Sequence, residues 1–206
     1  MSANYDNSAW FYDRLSRIVY GDALIGAQVY LLEFIPADAT VLIVGGGSGW
    51  ILDEIAKRHP AGLRITYVEV STKMMAQAKK RNACGNSVVF INDAIENISF
   101  GLSFDVVLTA FLFDSFSDLT MKRIFGHIHF LLKPGGLWLY SDFMLTKKRW
   151  QRLLLKSMLK FFKAICHIEA SRLPDVEKQF VLHSYEVVTD RTFFKDFVIS
   201  KVYMKI

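Results

Sequence analysis

The chain has 206 residues, 52% apolar and 22% charged with four prolines, the profile of one packed domain and not of a disordered segment. Its longest apolar stretches, such as residues 106–113, stop at about eight residues, far short of the roughly 20 that a spanning helix needs. The net charge of +5 permits an anionic partner without naming one, and Cys84 and Cys166 are lone cysteines that lack metal-site spacing.

In chain order, Met1-Ser2-Ala3-Asn4-Tyr5-Asp6 has neither a basic leader nor an apolar signal core, so a cytoplasmic protein is expected. Trp10, Phe11, Leu15, Ile18 and Val19, then Ile25, Val29 and Leu32, recur at three- and four-residue spacings, predicting helices over 8–35 with a break at Gly21. After Pro36-Ala37-Asp38, the run Thr40-Val41-Leu42-Ile43-Val44 reads as a strand buried on both faces. Glycines follow, then a helix with Ile51, Leu52, Ile55 and Ala56 on one face, stopped by His59-Pro60-Ala61-Gly62.

The unit repeats. A second strand spans 63–70 with Glu69 at its end, Ser71 caps a helix to about Arg81, and a third strand over 87–91 ends at Asn92-Asp93. A fourth strand covers 104–110, a helix 117–132, and Lys133-Pro134-Gly135-Gly136 turns into a fifth strand over 137–142. This alternation predicts parallel strands joined by right-handed crossovers. After a helix over 174–183, the segments 185–194 and 197–206 are too close for a crossover and predict an antiparallel hairpin. The expected fold is α/β: a doubly wound, mostly parallel, seven-stranded Rossmann-like sheet with an antiparallel C-terminal hairpin. One domain covers 1–206, with N-terminal helices over 1–36, a ligand-binding core over 40–142, a basic helix over 147–169, and the final helix and hairpin over 174–206.

A glycine turn between a buried strand and a helix lets backbone approach a ligand, and the helix N-terminus offers amide donors to an anionic group. A dinucleotide fingerprint needs a small third residue where Trp50 stands; the glycines here are Gly45, Gly47 and Gly49. The G-x-G-x-G loop after an apolar strand resembles the first motif of the class I S-adenosylmethionine-dependent methyltransferases. Phe104-Asp105-Val106-Val107-Leu108 resembles their fourth-strand motif, and Leu131-Leu132-Lys133-Pro134-Gly135-Gly136 the turn before their fifth strand. Tyr5-Asp6 and Ala9-Trp10-Phe11-Tyr12-Asp13 are similar to the entry helix of the ubiquinone and menaquinone group.

The resemblance implies S-adenosylmethionine as cofactor, S-adenosylhomocysteine as product, and methyl transfer to a small molecule. It assigns the loop Gly45, Gly46, Gly47, Ser48 and Gly49 to the cofactor, with Glu69 on the ribose hydroxyls, Val70 beside it, and Asp93 and the Ala94 amide on the adenine. Met74 and Ile95 would flank the adenine, Ala110 and Phe111 follow the fourth strand, and Tyr12 would lie at the methionine end. Plainer roles stay open: a solvated charge for Glu69, a helix cap for Asp93, core packing for Met74, and helix packing for Tyr12.

The pattern also departs from the family. Ile43 stands where an acid often holds the cofactor's ammonium. The glycine run resembles the aminopropyltransferases too, but Thr109-Ala110-Phe111 lacks their polyamine-orienting acid. The Asn/Asp-Pro-Pro-aromatic motif that would suggest transfer to an exocyclic base nitrogen does not follow the fourth strand, and no acidic cluster suggests a metal. Phe111, Phe113, Phe116 and Phe143 instead favour a lipophilic or aromatic acceptor. Asp114, Asp142 and Tyr12 are the candidate bases for an acceptor that must lose a proton, while none of the five histidines sits in a catalytic pattern. A cofactor-fold scaffold without catalysis is the alternative class. Residues 147–163 carry seven basic residues and no acid, with Arg149, Arg152, Lys156, Lys160 and Lys163 opposite Leu155, Met158, Leu159 and Phe162. This helix admits three readings: a domain helix with a solvated face, a lid over the acceptor, or a membrane-surface contact. Nucleic acid is not favoured, for want of interleaved recognition features.

Overall fold

The continuous apolar run after Asp38 forms the centre of the sheet in the computed structural model, which describes residues 21–206 apart from 100, 102, 147 and 167. The helix expected before Gly21, and Tyr12 with it, lies outside the described residues. The elements are α1 (Ala23–Leu31), a 3-10 turn (Leu32–Phe34), β1 (Thr40–Val44), α2 (Trp50–Arg58), β2 (Ala61–Val68), α3 (Thr72–Ala78) and β3 (Gly85–Ile91). They continue with β4 (Phe104–Ala110), α4 (Asp118–Leu131), β5 (Leu132–Phe143), α5 (Arg149–Cys166), α6 (Val176–Leu182), β6 (Tyr185–Phe193) and β7 (Val198–Lys205).

β1 pairs in parallel with both β2 and β4, and its residues Val41 to Val44 are all buried. Leu42 and Val44 point into one apolar cluster, with Phe125 and Ile128 of α4 and Phe180 of α6. Val41 and Ile43 point into the other, with Ile51, Leu52 and Ile55 of α2 and Leu31 at the end of α1. This alternation is why a continuous apolar run suits the strand: each face has its own helical layer.

The seven strands run β3-β2-β1-β4-β5-β7-β6, with β7 antiparallel to both neighbours, matching the expected doubly wound sheet and terminal hairpin. The chain builds outward from β1 to β3 and then returns to β4 on the other side. That reversal opens a crevice at the carboxyl ends of β1 and β4, where open α/β sheets bind ligands.

Boundaries differ locally. β5 is longer than expected because its pairing with β4 jumps from Phe104↔Leu132 to Val106↔Leu137, so the Lys-Pro-Gly-Gly turn is a bulge inside the strand. Gly136 is required there, since a Cβ would stand 2.8 Å from the Lys133 carbonyl oxygen. Asp105 clasps this end of the sheet, accepting from the Thr40 amide at 2.8 Å and from Lys133 Nζ at 2.6 Å. Burial raises its pKa, and the bonds from Lys133 and Thr40 outweigh that and hold it at about 2. The helix expected to reach Arg81 ends at Ala78, while Ser71 caps it as expected, accepting from the Met74 amide at 3.2 Å.

The basic helix is present as α5, and its apolar side is packed: Leu155 and Leu159 join Ala27, Phe143 and Phe197 in a third cluster.

Candidate cofactor site

The crevice is a cavity of about 630 Å³ floored by the loop between β1 and α2. Gly45, Gly46, Gly47 and Ser48 line it, each for a local reason. A Cβ on Gly46 would fall 2.2 Å from the Tyr67 ring, and one on Gly45 would meet Leu112 at 2.8 Å. Gly47, at φ +65°, would place a Cβ no nearer than 3.9 Å to any neighbour, that neighbour being Met74 Sδ. Its glycine therefore serves backbone conformation and an open cavity floor.

Two side chains of the β2 end hold this loop. The Gly47 amide donates to Glu69 Oε2 at 2.9 Å, and the Tyr67 hydroxyl donates to the Gly47 carbonyl at 3.1 Å. Glu69 Oε1 accepts from the Ser71 amide at 2.8 Å, and the residue is only 4% exposed. This buried carboxylate, held by two backbone donors, lies at the wall of the cavity. Tyr67 was absent from the sequence assignment, although alternation along a strand puts it on the same side as Glu69.

Gly49 differs from its neighbours. It does not line the cavity; it precedes α2 at φ +79°, and a Cβ there would meet Ala78 at 2.6 Å. Its glycine lets α2 approach α3. Arg81 ties the back of the loop, donating to the Ser48 carbonyl at 3.1 Å and pairing with Asp53 at 3.1 Å.

Val70, Met74, Asp93, Ala94 and Ile95 line the next wall. Asp93 Oδ1 accepts from the Ala94 amide at 2.7 Å and from Asn97 Nδ2 at 2.8 Å, and these bonds, Asn97 first, lower its pKa. The Ala94 amide is thus already bonded to Asp93. Asn92, also missed from sequence, donates to the Glu69 carbonyl at 2.8 Å and the Val70 carbonyl at 3.1 Å, joining the ends of β2 and β3.

Ala110, Phe111 and Leu112 close the side at β4. Phe111 lies at φ +53°, a left-handed conformation that L-residues hold only under local constraint. Its amide donates to the Ser141 carbonyl at 2.8 Å, and its ring meets Phe143 at 5.1 Å. The outer rim is polar: Glu169 Oε2 accepts from Thr120 Oγ1 at 2.7 Å, and Arg123 pairs with Glu96 at 3.1 Å. Gln28 of α1 also lines the cavity, whereas Ile43, at the position of the family's acid, is in the core.

Asp114 and Asp142, the candidate bases, come together but do not line the cavity. Asp142 is buried and accepts from the Phe143 amide at 2.8 Å and from the amides of Phe113 and Asp114. Burial, and then Asp114, pushes its pKa well above the carboxylate range; burial pushes Asp114 up to about 7 against a bond from Ser115. They fasten the turn after β4 to β5. Because the folded Asp114 keeps its proton to about pH 7, its ionisation costs stability progressively as pH rises from the unfolded value of 3.8 to about 7. Thermal unfolding of Asp114→Asn should therefore show an advantage over the parent that grows across that window and then levels. An advantage independent of pH would contradict the shifted pKa.

Residues 41–136 match the family described as a methyltransferase domain. That match, over a little under half of the chain, supports a class I S-adenosylmethionine-dependent methyltransferase.

Malonyl-[acyl-carrier protein] O-methyltransferase 2 of Ilyobacter polytropus is 27% identical over 103 residues, which are 50% of this chain and 39% of that protein. The chain thus aligns with well under half of that relative's length. The magnesium protoporphyrin IX methyltransferase of Synechocystis, solved with bound SAH, has the same fold, with a TM-score of 0.68 and 15% identity over 98% of this chain and 97% of that one. A Haloferax volcanii putative methyltransferase, solved in complex with a methyltransferase activator, aligns with a TM-score of 0.69 and 16% identity over 100% of this chain and 99% of that one.

The residues of the site fit S-adenosylmethionine as a cofactor. The space over Gly47 admits a ligand against backbone, the buried Glu69 carboxylate lines it, and the cavity is of small-molecule size. Among the described residues no group of three or more His, Cys, Asp or Glu is arranged to hold a metal.

Proposed function

We propose that the protein transfers a methyl group from S-adenosylmethionine to a small, lipophilic or aromatic acceptor. The observation that carries this reading is the buried Glu69 carboxylate, fixed by the Gly47 and Ser71 amides at the wall of the cavity. In this reading it accepts from the ribose hydroxyls, Asp93 and Ala94 meet the adenine between Met74 and Ile95, and Gly45 to Ser48 carry the methionine end. Gln28 and backbone carbonyls near Gly45 and Ala110 stand in for the missing acid at the ammonium. Tyr12 remains the expected contact from the N-terminal segment.

The sulfonium supplies an activated methyl for in-line displacement, so the chain's own task is to align the acceptor and exclude water. Phe111, Leu112 and Phe116 offer an apolar wall for that purpose. Neither Asp114 nor Asp142 lines the cavity, and Glu169, which does, has its pKa lowered, first by its bond from Thr120.

The test is a mass screen of aqueous and lipid extracts incubated with the protein and S-adenosylmethionine. A one-methyl mass gain in the lipid or aromatic fraction is expected. Acceptors confined to charged aliphatic metabolites would refute the acceptor class, and cofactor binding without any methylated product would favour a scaffold.

A further inference from the structure

The outward side of α5 is divided in a way that the cavity does not explain. At 100° per residue, Arg149, Arg152, Lys156, Lys160 and Lys163 fall within roughly 80° of the helix circumference, and all five are exposed. Among the described residues no carboxylate pairs with any of them. The adjoining sector carries no charge: it holds Leu153, Ser157, Ala164 and Trp150, with Leu153 69% exposed and Trp150 38%. Leu153 and Trp150 thus form a small uncharged strip directly beside an unbroken row of cations.

The surroundings hold this face in place. Gln151 accepts from the Thr146 amide at 3.0 Å and donates to the Lys195 carbonyl at 3.0 Å. Lys148 donates to that same carbonyl at 2.8 Å and pairs with Asp196 at 2.9 Å, so the start of α5 is stapled to the hairpin tip. The tip is itself unusual, with Phe194, Lys195 and Asp196 in succession at positive φ. Leu145, in the stapled loop, is also exposed, at 45%.

We infer that α5 docks on an anionic lipid bilayer, its cationic row at the headgroup phosphates and Leu153, Trp150 and Leu145 at the acyl boundary. A basic row flanking a small apolar strip is the arrangement by which interfacial helices combine electrostatic attraction with shallow insertion. The helix does not span: no helix of the described residues is long and apolar enough to cross a membrane. Docking does not rest on methyl transfer. It does have a consequence for it, because the inner side of α5 packs in the cluster that includes Phe111, a wall of the cavity.

The experiment is co-sedimentation of the full chain with vesicles of phosphatidylcholine alone and of phosphatidylcholine and phosphatidylglycerol in equal parts. Binding is expected only to the anionic vesicles and should fall with salt, since each basic side chain near an anionic leaflet contributes about fivefold. Lys156→Glu with Lys160→Glu should weaken binding more than tenfold (about fivefold for each charge removed, more for reversal), and Leu153→Gln, which leaves the net charge unchanged, should also weaken it. All three side chains are exposed, so circular dichroism should be unchanged. Equal binding to neutral vesicles, or none to anionic ones, overturns the inference. So does a Leu153→Gln variant that binds like the parent, above all if a single-stranded RNA competes, since the row would then serve a polyanion without insertion.

Discussion

Glu69→Ala should reduce affinity for S-adenosylhomocysteine by about 100-fold or more, the loss expected when two hydrogen bonds to a charged acceptor disappear. The carboxylate also accepts from the Gly47 and Ser71 amides, so its removal loosens the floor of the site as well as its ribose contact. A stability loss on the order of 1–3 kcal/mol should accompany it, from amides left without an acceptor. Glu69→Gln separates these effects. The amide keeps one acceptor oxygen for one of the two backbone donors but presents NH2 to the other, so affinity should fall with a smaller loss of stability. Calorimetry and thermal unfolding on the same samples read both quantities. Unchanged affinity in Glu69→Ala would remove this residue from the site and the ribose contact with it.

Gly46→Ala should be nearly as damaging although it adds one methyl. Its Cβ would overlap the Tyr67 ring at 2.2 to 2.4 Å, and that ring is fully buried against Phe90, with centroids 5.5 Å apart. The ring has no solvent to retreat into, so the loop must shift, and the Gly47 amide leaves Glu69. Overpacking of this kind costs about 1–3 kcal/mol, and the displaced loop should lower cofactor affinity at least about tenfold. Tyr67→Ala in the Gly46→Ala background removes the overlap and should restore part of the affinity despite its own cavity. A Gly46→Ala protein that binds like the parent would show that the loop yields without consequence.

The parts of this molecule legible in sequence were those fixed by local chemistry. β1 could be read because a strand covered on both faces has no reason to alternate, and Thr40 to Val44 do not. The short link after Phe193 forced a hairpin. The loop and Glu69 could be placed together because a strand, a glycine turn, a helix and the next strand have nearly fixed lengths, so the spacing itself sets two sites side by side.

What stayed hidden depends on long-range contact. Gly49 belongs to the same glycine pattern as Gly47, and only the approach of Ala78 shows that it serves helix packing. Asp114 and Asp142 each sit at a strand end where a base could act, yet Asp142 turns to the amides of residues 113 and 114 and away from the cavity lining. The left-handed Phe111 had no sequence signal, since neither glycine nor asparagine marks the position. Tyr67 and Asn92 were within reach: each is one or two residues from an assigned acid, and a search for polar side chains sharing a strand face with Glu69 or closing the next strand end would have found them.

The measurement that bears most directly on this account is a calorimetric titration of the unmodified protein with S-adenosylmethionine and with S-adenosylhomocysteine. One site per chain with sub-millimolar affinity for both is the expected result, with heat lost in Glu69→Ala. Folded protein that binds neither would contradict the assignment of the cavity over Gly47.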